Sequence, residues 1–444
     1  MKAIRILPLI AFVLIKFLLQ IFLISPEYDL QRDEYLHLDQ AHHPAWGYLS
    51  VPPVTSWISY LIMLLGNAVI WVKFFPALFG ALTIVVVWKT IEELDGTIWA
   101  QILGATCILL SSLLRLNTLY QPNSLDVLCW TALYFAIIKY ISTEKSKWLY
   151  FGSIVFAIGF LNKYNIAFLV IGLLPAILLT EHRNILTRKE FYLALALALL
   201  LILPNLIWQY QNHFPVIYHM KELAGRHLVH VERSGFLKTQ LLFFTGSWFV
   251  IIAGLAALLM VKKFRPYRLF FWSFFFTLTV FVYFKAKPYY AIGLYPLYIA
   301  FGSAAMTNAL NVRWQKIALP ILVFMPVLFF IPMWKYAFPN KGPVEIAKDA
   351  EQYRRLGLLR WEDGKDHAIP QDYADMLGWK ELAKKVDEAY IRIGDPQKTL
   401  VLCDNYGQAG AINYYTTKGI RAVSTEAIIY TGLILTRLTR ISFA

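Results

Sequence analysis

The amino-acid sequence predicts an all-α polytopic membrane protein with about eleven transmembrane helices and a small C-terminal α/β domain. Three observations predict this class. The 444 residues are 58% hydrophobic and only 16% charged, with a mean hydropathy of +0.52, whereas soluble domains carry about 25% charged residues. Apolar stretches of about 17 to 22 residues, each able to cross the hydrocarbon core as a helix, recur along the chain. The composition turns polar after residue 337.

The apolar stretches define the predicted transmembrane helices, because lipid offers no partners to backbone N–H and C=O groups. Basic residues precede the first stretch and no small-residue cleavage site follows it, so we predict a retained helix rather than a removed signal peptide. The predicted spans are 6–24, 72–91, 97–115, 125–141, 148–162, 164–180, 190–208, 239–261, 269–284, 289–309 and 315–335.

The segment 54–70 decides the topology. It follows Pro52 and Pro53 and carries several polar residues, so it either spans the membrane or lies at the interface. Counting it as a span would put the basic loop Lys262–Arg268 outside, against the positive-inside rule. We therefore predict a juxtamembrane helix within a first outer loop of residues 25–71.

The chain divides into a transmembrane catalytic domain, residues 1–337, and an extracytoplasmic soluble domain, residues 338–444. In the second domain, Thr399–Cys403 is typical of a buried strand, and a helix that runs through Tyr415 is predicted after the next turn. The apolar stretch Ala427–Leu435 differs in character from the preceding sequence, which is compatible with a truncated or frame-shifted reading frame.

The net charge of +14 does not indicate a nucleic-acid partner. Nucleic-acid binding requires a basic face on a soluble domain, whereas most Lys and Arg residues lie in short loops between apolar stretches, as membrane topology requires. The cysteines Cys107, Cys129 and Cys403 are scattered and form neither a metal-binding spacing nor a disulfide framework.

Carboxylates in the outer loops are the first group of candidate functional residues. Asp33 and Glu34 lie just beyond the first span, where partial desolvation prepares a carboxylate as a general base. Glu34 with His37 could also bind a divalent metal such as Mg²⁺, Mn²⁺ or Zn²⁺. A solvated acidic loop is the alternative. Asp126 begins a span, and the cost of a carboxylate at that depth favours function over helix capping.

Lysines at the outer membrane depth are the second group. Lys163 interrupts an otherwise continuous apolar run. Lys285 and Lys287 lie at an outer junction, where the positive-inside rule disfavours them, and Tyr289 and Tyr290 follow. Snorkelling side chains are the alternative. We predict instead a binding site for the phosphate of a lipid-linked donor, because an ammonium is a strong point charge toward phosphate oxygens.

Taken together, these motifs resemble those of the bacterial relatives of protein O-mannosyltransferases and of lipid A aminoarabinose transferase, which share the glycosyltransferase C fold. The resemblance extends in order from about residue 30 to 415. Val51 departs from it, since some relatives carry a Lys there, so one phosphate contact is either missing or supplied by Lys163. The matching stretches are Arg32–Glu34, Ala45–Tyr48, Pro52–Pro53, Gln121–Pro122, Asp126, Asn162–Tyr164, Pro204–Gln209, Lys287–Tyr290 and Asn405–Gly410.

The resemblance implies an inverting transfer of a sugar from a polyprenyl phosphate to a lipid A, glycan or protein acceptor. The reaction would take place on the outer face of the bacterial inner membrane. Asp33 matches the family's catalytic acidic position, Glu34 its acidic neighbour and Asp126 a second acidic position. We expect Asp33 to be the general base, and Glu34 and Asp126 to orient the acceptor or a divalent metal. Further predicted substrate contacts are Asn205, Gln209 and, in the outer loop 209–238, Arg226.

Two other functional classes remain open on the residues alone. A transporter or flippase of lipid-linked glycans would also need cations beside an apolar groove, but it predicts ionisable residues deep within the spans. A noncatalytic membrane scaffold explains neither the paired carboxylates nor the outer lysines. Because the ionisable residues cluster at one surface, the sequence favours an enzyme.

Overall fold

The computed structural model describes residues 2–226, 232–310, 312–395 and 398–424, and these residues are mostly helical. The predicted apolar stretch Ala427–Leu435 lies outside them. The helices of the first three-quarters of the chain are α1 (Lys2–Phe22), α2 (Arg32–Asp39), α3 (Val54–Leu64), α4 (Val69–Glu93), α5 (Ile98–Leu109), α6 (Ser112–Leu116), α7 (Asn123–Thr143), α8 (Lys147–Asn162), α9 (Ile166–Leu178), α10 (Lys189–Gln211), α11 (Pro215–Arg226), α12 (Arg233–Phe243), α13 (Trp248–Met260), α14 (Leu269–Tyr283), α15 (Tyr295–Ala309) and α16 (Val312–Ala337).

The remaining elements are short or belong to the C-terminal segment, defined here as residues 338–424. Turns of 3-10 helix occupy Gln40–His42, Glu181–Thr187, Thr245–Ser247, Lys262–Tyr267 and Pro288–Leu294. The C-terminal segment contains α17 (Pro343–Lys348), α18 (Ala350–Arg355), α19 (Gln371–Ala374), α20 (Trp379–Ile393), β1 (Val401–Cys403), α21 (Tyr406–Tyr415) and β2 (Ala422–Ser424).

Long apolar helices make the chain a multi-pass membrane protein. Within the described residues, four helices are long and apolar enough to cross a bilayer, namely α4, α7, α10 and the part of α16 from Ile317. Two bent pairs, α9 with Glu181–Thr187 and α12 with Thr245–Met260, raise that number to six at most. Other apolar helices, including α5, α8 and α14, are shorter than a full span. The number of about eleven crossings therefore stays a prediction.

Local chemistry breaks two of the predicted spans. The stretch 97–115 is split into α5 and α6 at Ser111, whose hydroxyl accepts a hydrogen bond from the Leu113 N–H at 3.3 Å and caps α6. The stretch 239–261 bends by 66° between α12 and α13. At that bend, Gly246 packs so closely on Pro326 of α16 that a Cβ would lie 2.8 Å from the proline Cα.

Helix α3 corresponds to the segment predicted to lie at the membrane surface. Its 11 residues extend over about 17 Å, too short to cross the hydrocarbon core. The Thr55 hydroxyl donates to Asn162 Oδ1 at 3.0 Å, and the Tyr120 hydroxyl donates to the Thr55 carbonyl at 2.7 Å. These bonds fasten α3 to the bundle, while its orientation along the membrane surface stays a prediction.

The C-terminal segment contains the predicted helix and a strand at the predicted place, but the strand is shorter than predicted and not buried, since Leu402 is 59% exposed. The strand β1 pairs in parallel with β2, with Cys403 opposite Ser424. Asn405 caps the start of helix α21 by accepting a hydrogen bond from the Gln408 N–H at 3.0 Å on its side chain, and the helix ends at Tyr415 as predicted. It packs on α2, and a Cβ on Gly410 would lie 2.8 Å from the Tyr35 carbonyl oxygen. The C-terminal segment is thereby seated directly on the first outer loop.

Gly302 makes a testable contact in the core, where α13 and α15 touch backbone to backbone. A Cβ on Gly302 would overlap the Val250 carbonyl. Gly302→Ala should therefore destabilise the protein by about 1 to 3 kcal/mol, because neither backbone can yield without moving its helix. Thermal unfolding of the purified protein in detergent measures the effect.

The matched control is Gly152→Ala on α8. A Cβ at this position would meet the Leu133 and Ala136 side chains at 3.5 and 3.6 Å, which is ordinary van der Waals contact. Its melting temperature should stay at the wild-type value or rise slightly, because alanine is the better helix former. Equal melting temperatures for both variants would contradict the close approach of α13 and α15.

Candidate active site

Asp33 lies in the first turn of α2, which the Gln31 side chain caps by accepting a hydrogen bond from the Asp33 N–H at 2.8 Å. The Asp33 carboxylate itself accepts two hydrogen bonds. Its Oδ1 accepts from the Tyr406 hydroxyl at 2.6 Å, and its Oδ2 accepts from the Gln121 amide at 3.1 Å. The side chain nevertheless keeps 34% exposure. Asp33 is thus oriented by two donors and still accessible to a substrate.

Arg32 connects this carboxylate to the C-terminal segment. Its guanidinium lies 3.6 Å from Asp33 Oδ1 and 3.7 Å from Asp375 Oδ2, and it lies over the Tyr406 ring at 5.5 Å. Burial raises the pKa of Asp375 to about 6, while the Arg32 charge acts in the opposite direction. Residues more than 340 positions apart in sequence therefore form one cluster of charges around Asp33.

Glu34 has a different position from the one predicted for a substrate-orienting or metal-binding residue. Its side chain is fully buried, and the Lys73 ammonium donates to both carboxylate oxygens at 2.7 and 2.8 Å. The backbone N–H groups of Gln31 and Tyr120 donate to the same carboxylate at 2.6 and 2.7 Å. Because each oxygen is already engaged with Lys73 and a backbone donor, the geometry gives Glu34 a structural role.

The residues present do not fit the predicted metal site at Glu34 and His37. His37 is buried, its Nδ1 lies 3.5 Å from Gln40 Oε1, and its ring meets Tyr120 edge-on. Across the described part of the chain, no three His, Cys, Asp or Glu side chains gather as a ligand set. The Lys73 charge beside Glu34 would also repel a cation.

Asp126 is buried at the start of α7, with 5% exposure. Its Oδ1 accepts from the Trp130 indole N–H at 3.0 Å and its Oδ2 from the Asn165 amide at 2.9 Å. Asn165 also donates to the Tyr290 carbonyl at 2.8 Å. Asp126 therefore positions the turn that carries Tyr290, and its charge attracts the nearby Lys163.

The predicted lysine and tyrosine cluster is brought together in part. The Lys163 ammonium lies over the rings of Tyr290 and Tyr289, at 4.1 and 5.0 Å from their centroids, and donates to Asn123 Oδ1 at 2.8 Å. Burial lowers the pKa of Lys163, and the Lys287 charge lowers it further, so the two ammonium groups are close enough to repel each other.

The two lysines of the outer junction differ in their surroundings. Lys287 donates to Glu362 of the C-terminal segment at 2.8 Å. Lys285 is exposed, at a turn with φ of 51°, and the described structure gives its side chain no hydrogen bond or ion pair. Lys287 therefore belongs to the cluster, whereas Lys285 is not tied to it.

The predicted substrate contacts on α10 instead join this helix to the outer loop. Asn205 is fully buried, donates to the Trp46 carbonyl at 2.6 Å and accepts from the Tyr164 hydroxyl at 3.1 Å. The Gln209 amide donates to Tyr164 at 2.9 Å. This geometry does not support substrate binding by either side chain. Arg226 ends α11, and its side chain lies outside the described ones.

Several residues of the site were missed in the sequence, although signals for them exist. Lys73 is the single lysine within the apolar start of α4, a position that calls for a buried acidic partner. Tyr406 and Gln121 belong to motifs that carry the family resemblance, but nothing in their spacing indicates contact with Asp33. Asn123 and Glu362 lack any sequence signal, because their contacts depend on tertiary structure alone.

Comparison with known proteins finds relatives that match part of this chain. The family model of dolichyl-phosphate-mannose-protein mannosyltransferases matches residues 50–208. The lipid A galacturonosyltransferase RgtD of Rhizobium johnstonii is 26% identical over 198 residues, which are 42% of this chain and 41% of the relative. The match thus spans about two-fifths of the length of that curated relative.

Solved structures extend the likeness to nearly the whole chain. ArnT from Cupriavidus metallidurans bound to undecaprenyl phosphate superposes with a TM-score of 0.60 at 15% identity, covering 93% of this chain and 85% of ArnT. The apo form gives 0.62 at 14% identity, covering 91% and 84%. The chain has the glycosyltransferase C fold. The resemblance predicted from the motifs is thereby confirmed.

The Glu34–Lys73 pair yields a stability prediction for this protein. Lys73→Met alone should lower stability by about 3 to 5 kcal/mol, because it leaves the fully buried Glu34 carboxylate without its partner. Glu34→Gln should cost less, because the Lys73 side chain keeps 25% exposure and its bond to the Thr118 carbonyl. The double variant should lose less than the sum of the two single losses. The free energies of unfolding of the two single variants and the double variant, measured in detergent, test this double-mutant cycle.

The control is Lys89→Met at the other end of α4. Its partner Glu92 lies 2.8 Å away, but both side chains are exposed, at 53% and 37%. Such surface pairs contribute below about 1 kcal/mol. Additive losses for the Glu34 and Lys73 variants, or a loss no larger than that of the control, would contradict a buried ion pair.

Proposed function

We propose that this protein is an inverting glycosyltransferase that moves a sugar from a polyprenyl phosphate to a hydroxyl of a lipid A, glycan or protein acceptor. One observation carries the proposal: an accessible, oriented carboxylate, Asp33, lies in one hydrogen-bonded site with the Lys163 ammonium. Undecaprenyl phosphate in ArnT and lipid A as the substrate class of RgtD support the choice of donor and acceptor.

Asp33 acts as the general base. It takes the proton of the acceptor O–H while the acceptor oxygen forms a bond to the anomeric carbon of the donor sugar. The bond between the anomeric carbon and the donor phosphate oxygen breaks, and its electron pair leaves with the polyprenyl phosphate. Because phosphate is a good leaving group, no protonating acid is required, unlike the two-carboxylate chemistry of most glycosidases.

Lys163 and Lys287 stabilise the charge that grows on the departing phosphate. An ammonium has three N–H donors, and within the described residues Lys163 uses one of them, on Asn123. Lys287 reaches the phosphate by exchanging its bond to Glu362. Asp126 touches neither substrate and acts through Asn165 on the turn that carries the two tyrosines. We place this site on the extracytoplasmic face of the bacterial inner membrane.

The decisive variant is Asp33→Asn, which keeps the shape of the side chain and removes the base. Turnover should fall by about 100-fold or more, the usual contribution of general base catalysis. Membranes supplied with a radiolabelled polyprenyl-phosphate sugar report the transfer, since an enzyme converts the label covalently to a new product. The acceptor is a lipid A preparation in the first assay.

Asp349→Asn is the matched control. Asp349 pairs with Lys341 at 3.1 Å in a half-exposed position of the C-terminal segment. This variant should turn over at the wild-type rate. Near-normal transfer by Asp33→Asn would remove Asp33 from the role, and movement of unreacted donor across the bilayer without covalent transfer would favour a transporter.

Because the proposed donor site depends on the charge of the Lys163 ammonium, we expect use of the sugar donor to depend on pH. Partial burial lowers the pKa of Lys163 to about 8, with the Lys287 charge acting in the same direction and the Asp126 charge opposing. The ammonium is charged below this value, so its attraction for the donor phosphate is lost as the pH rises through about 8. The ratio kcat/KM for the donor should therefore decline above pH 8.

Lys163→Arg tests the assignment, because a guanidinium stays protonated throughout this range. The decline should move to higher pH in this variant, while Asp349→Asn should keep the wild-type profile. An identical alkaline limb in the wild type and in Lys163→Arg would exclude Lys163 as its origin.

A further inference from the structure

A continuous line of side-chain hydrogen bonds joins the carboxylate to the ammonium of the site. Lys163 Nζ donates to Asn123 Oδ1 at 2.8 Å, Asn123 Nδ2 donates to Gln121 Oε1 at 2.9 Å, and Gln121 Nε2 donates to Asp33 Oδ2 at 3.1 Å. The amides of Asn123 and Gln121 therefore connect the Lys163 ammonium to the Asp33 carboxylate. Each amide accepts a hydrogen bond on its oxygen and donates one from its NH₂ group toward Asp33.

The charged ends dictate the direction of this line. An ammonium can only donate and an ionised carboxylate can only accept. Asn123 must then turn its oxygen to Lys163 and its NH₂ group to Gln121, and Gln121 must turn its NH₂ group to Asp33. The amide dipoles align with the field between cation and anion, an arrangement in which each hydrogen bond polarises and strengthens the next.

The backbone around the two amides is itself held in place. Gln121 also donates to Gln31 Oε1 at 3.2 Å, and Gln31 caps the helix that carries Asp33. Between the amides, the Pro122 carbonyl accepts from the Asn162 amide at 2.8 Å, and Asn162 directly precedes Lys163. Both ends of the line are thereby fastened to the segment 121–123.

We propose that Gln121 and Asn123 are positioning residues of the transfer reaction, whose amides fix the Asp33 carboxylate and the Lys163 ammonium relative to each other. This inference rests on the proposed function. The Gln121 bond to Asp33 Oδ2 and the Tyr406 bond to Oδ1 together set the plane of the carboxylate, which leaves the second lone pair of Oδ2 for the acceptor proton. The Asn123 bond holds Lys163 so that its other N–H groups point toward the departing phosphate.

The two positions should affect different kinetic constants. Gln121→Leu should lower kcat about tenfold or more and leave the donor KM within about twofold, because it disturbs the base. Asn123→Leu should raise the donor KM several-fold, because it frees Lys163. Asn212→Leu is the control, an amide near the end of α10 that donates to the Trp208 carbonyl at 2.8 Å, and it should leave both constants unchanged.

Two readouts separate positioning from a loss of folding. In an Asp33→Asn background, Gln121→Leu should change the residual turnover less than twofold, because its effect passes through Asp33. Gln121→Glu keeps the shape of the side chain but places a second carboxylate against Asp33. The acidic limb of the pH profile should then move up by about one unit or more, since like charges disfavour ionisation.

The outcomes also separate this inference from the proposed function. If the wild type transfers label and Asp33→Asn does not, an unmoved acidic limb in Gln121→Glu, together with equal losses from Gln121→Leu in both backgrounds, overturns the positioning role alone. If the wild type transfers no label from any polyprenyl-phosphate sugar, or Asp33→Asn retains full turnover, the proposed function itself fails.

Discussion

The buried ion pair between Glu34 and Lys73 is the constraint on which the site depends. It joins the first outer loop to a membrane helix, and the Lys73 ammonium also donates to the Thr118 carbonyl at 3.0 Å, in the segment that leads to Gln121. Consecutive residues of a helix point about 100° apart. With Glu34 fixed inward, Asp33 must point outward, toward Gln121 and the C-terminal segment. Two neighbouring carboxylates thus acquire different roles from burial alone.

The C-terminal segment completes the site. Tyr406 donates to Asp33, and Glu362 accepts from Lys287, so this segment contacts both the proposed base and a proposed phosphate ligand. The close approach of Gly410 to the Tyr35 carbonyl allows α21 to lie against α2. Under the proposed function, the site therefore includes residues that lie outside the membrane helices and more than 300 positions from Asp33 in the sequence.

The sequence predicted features whose cause is local. Apolar length predicted helices at the positions of α4, α7, α10 and α16, and turn chemistry predicted α21. Lys163 is indicated by its position within an apolar run, and Lys285 and Lys287 by a charge that opposes the topology rule. Lys163 does lie against Tyr289 and Tyr290. Residue chemistry suggested a metal at Glu34 and the family resemblance suggested substrate binding by Asn205, but a motif indicates where a polar residue is needed and not which group it meets. Contacts such as Glu34 with Lys73 depend on how helices pack, and no periodicity in the chain encodes them.

Two ion pairs of this protein show how burial decides what a charge can do. Lys73 and Glu34 are paired where Glu34 is fully buried, so separating them would leave a charge without solvent or partner, and no ligand can replace that contact cheaply. Lys287 and Glu362 form a pair of similar length, 2.8 Å, but Glu362 is 42% exposed, and such a contact contributes below about 1 kcal/mol. A phosphate carries more charge than a carboxylate and offers more acceptor oxygens, so it can take Lys287 from Glu362 while water receives the released side chain. An ammonium–carboxylate pair is thus a permanent structural contact between Lys73 and Glu34. Under the proposed function, the same kind of pair between Lys287 and Glu362 is exchanged for a contact with the donor phosphate.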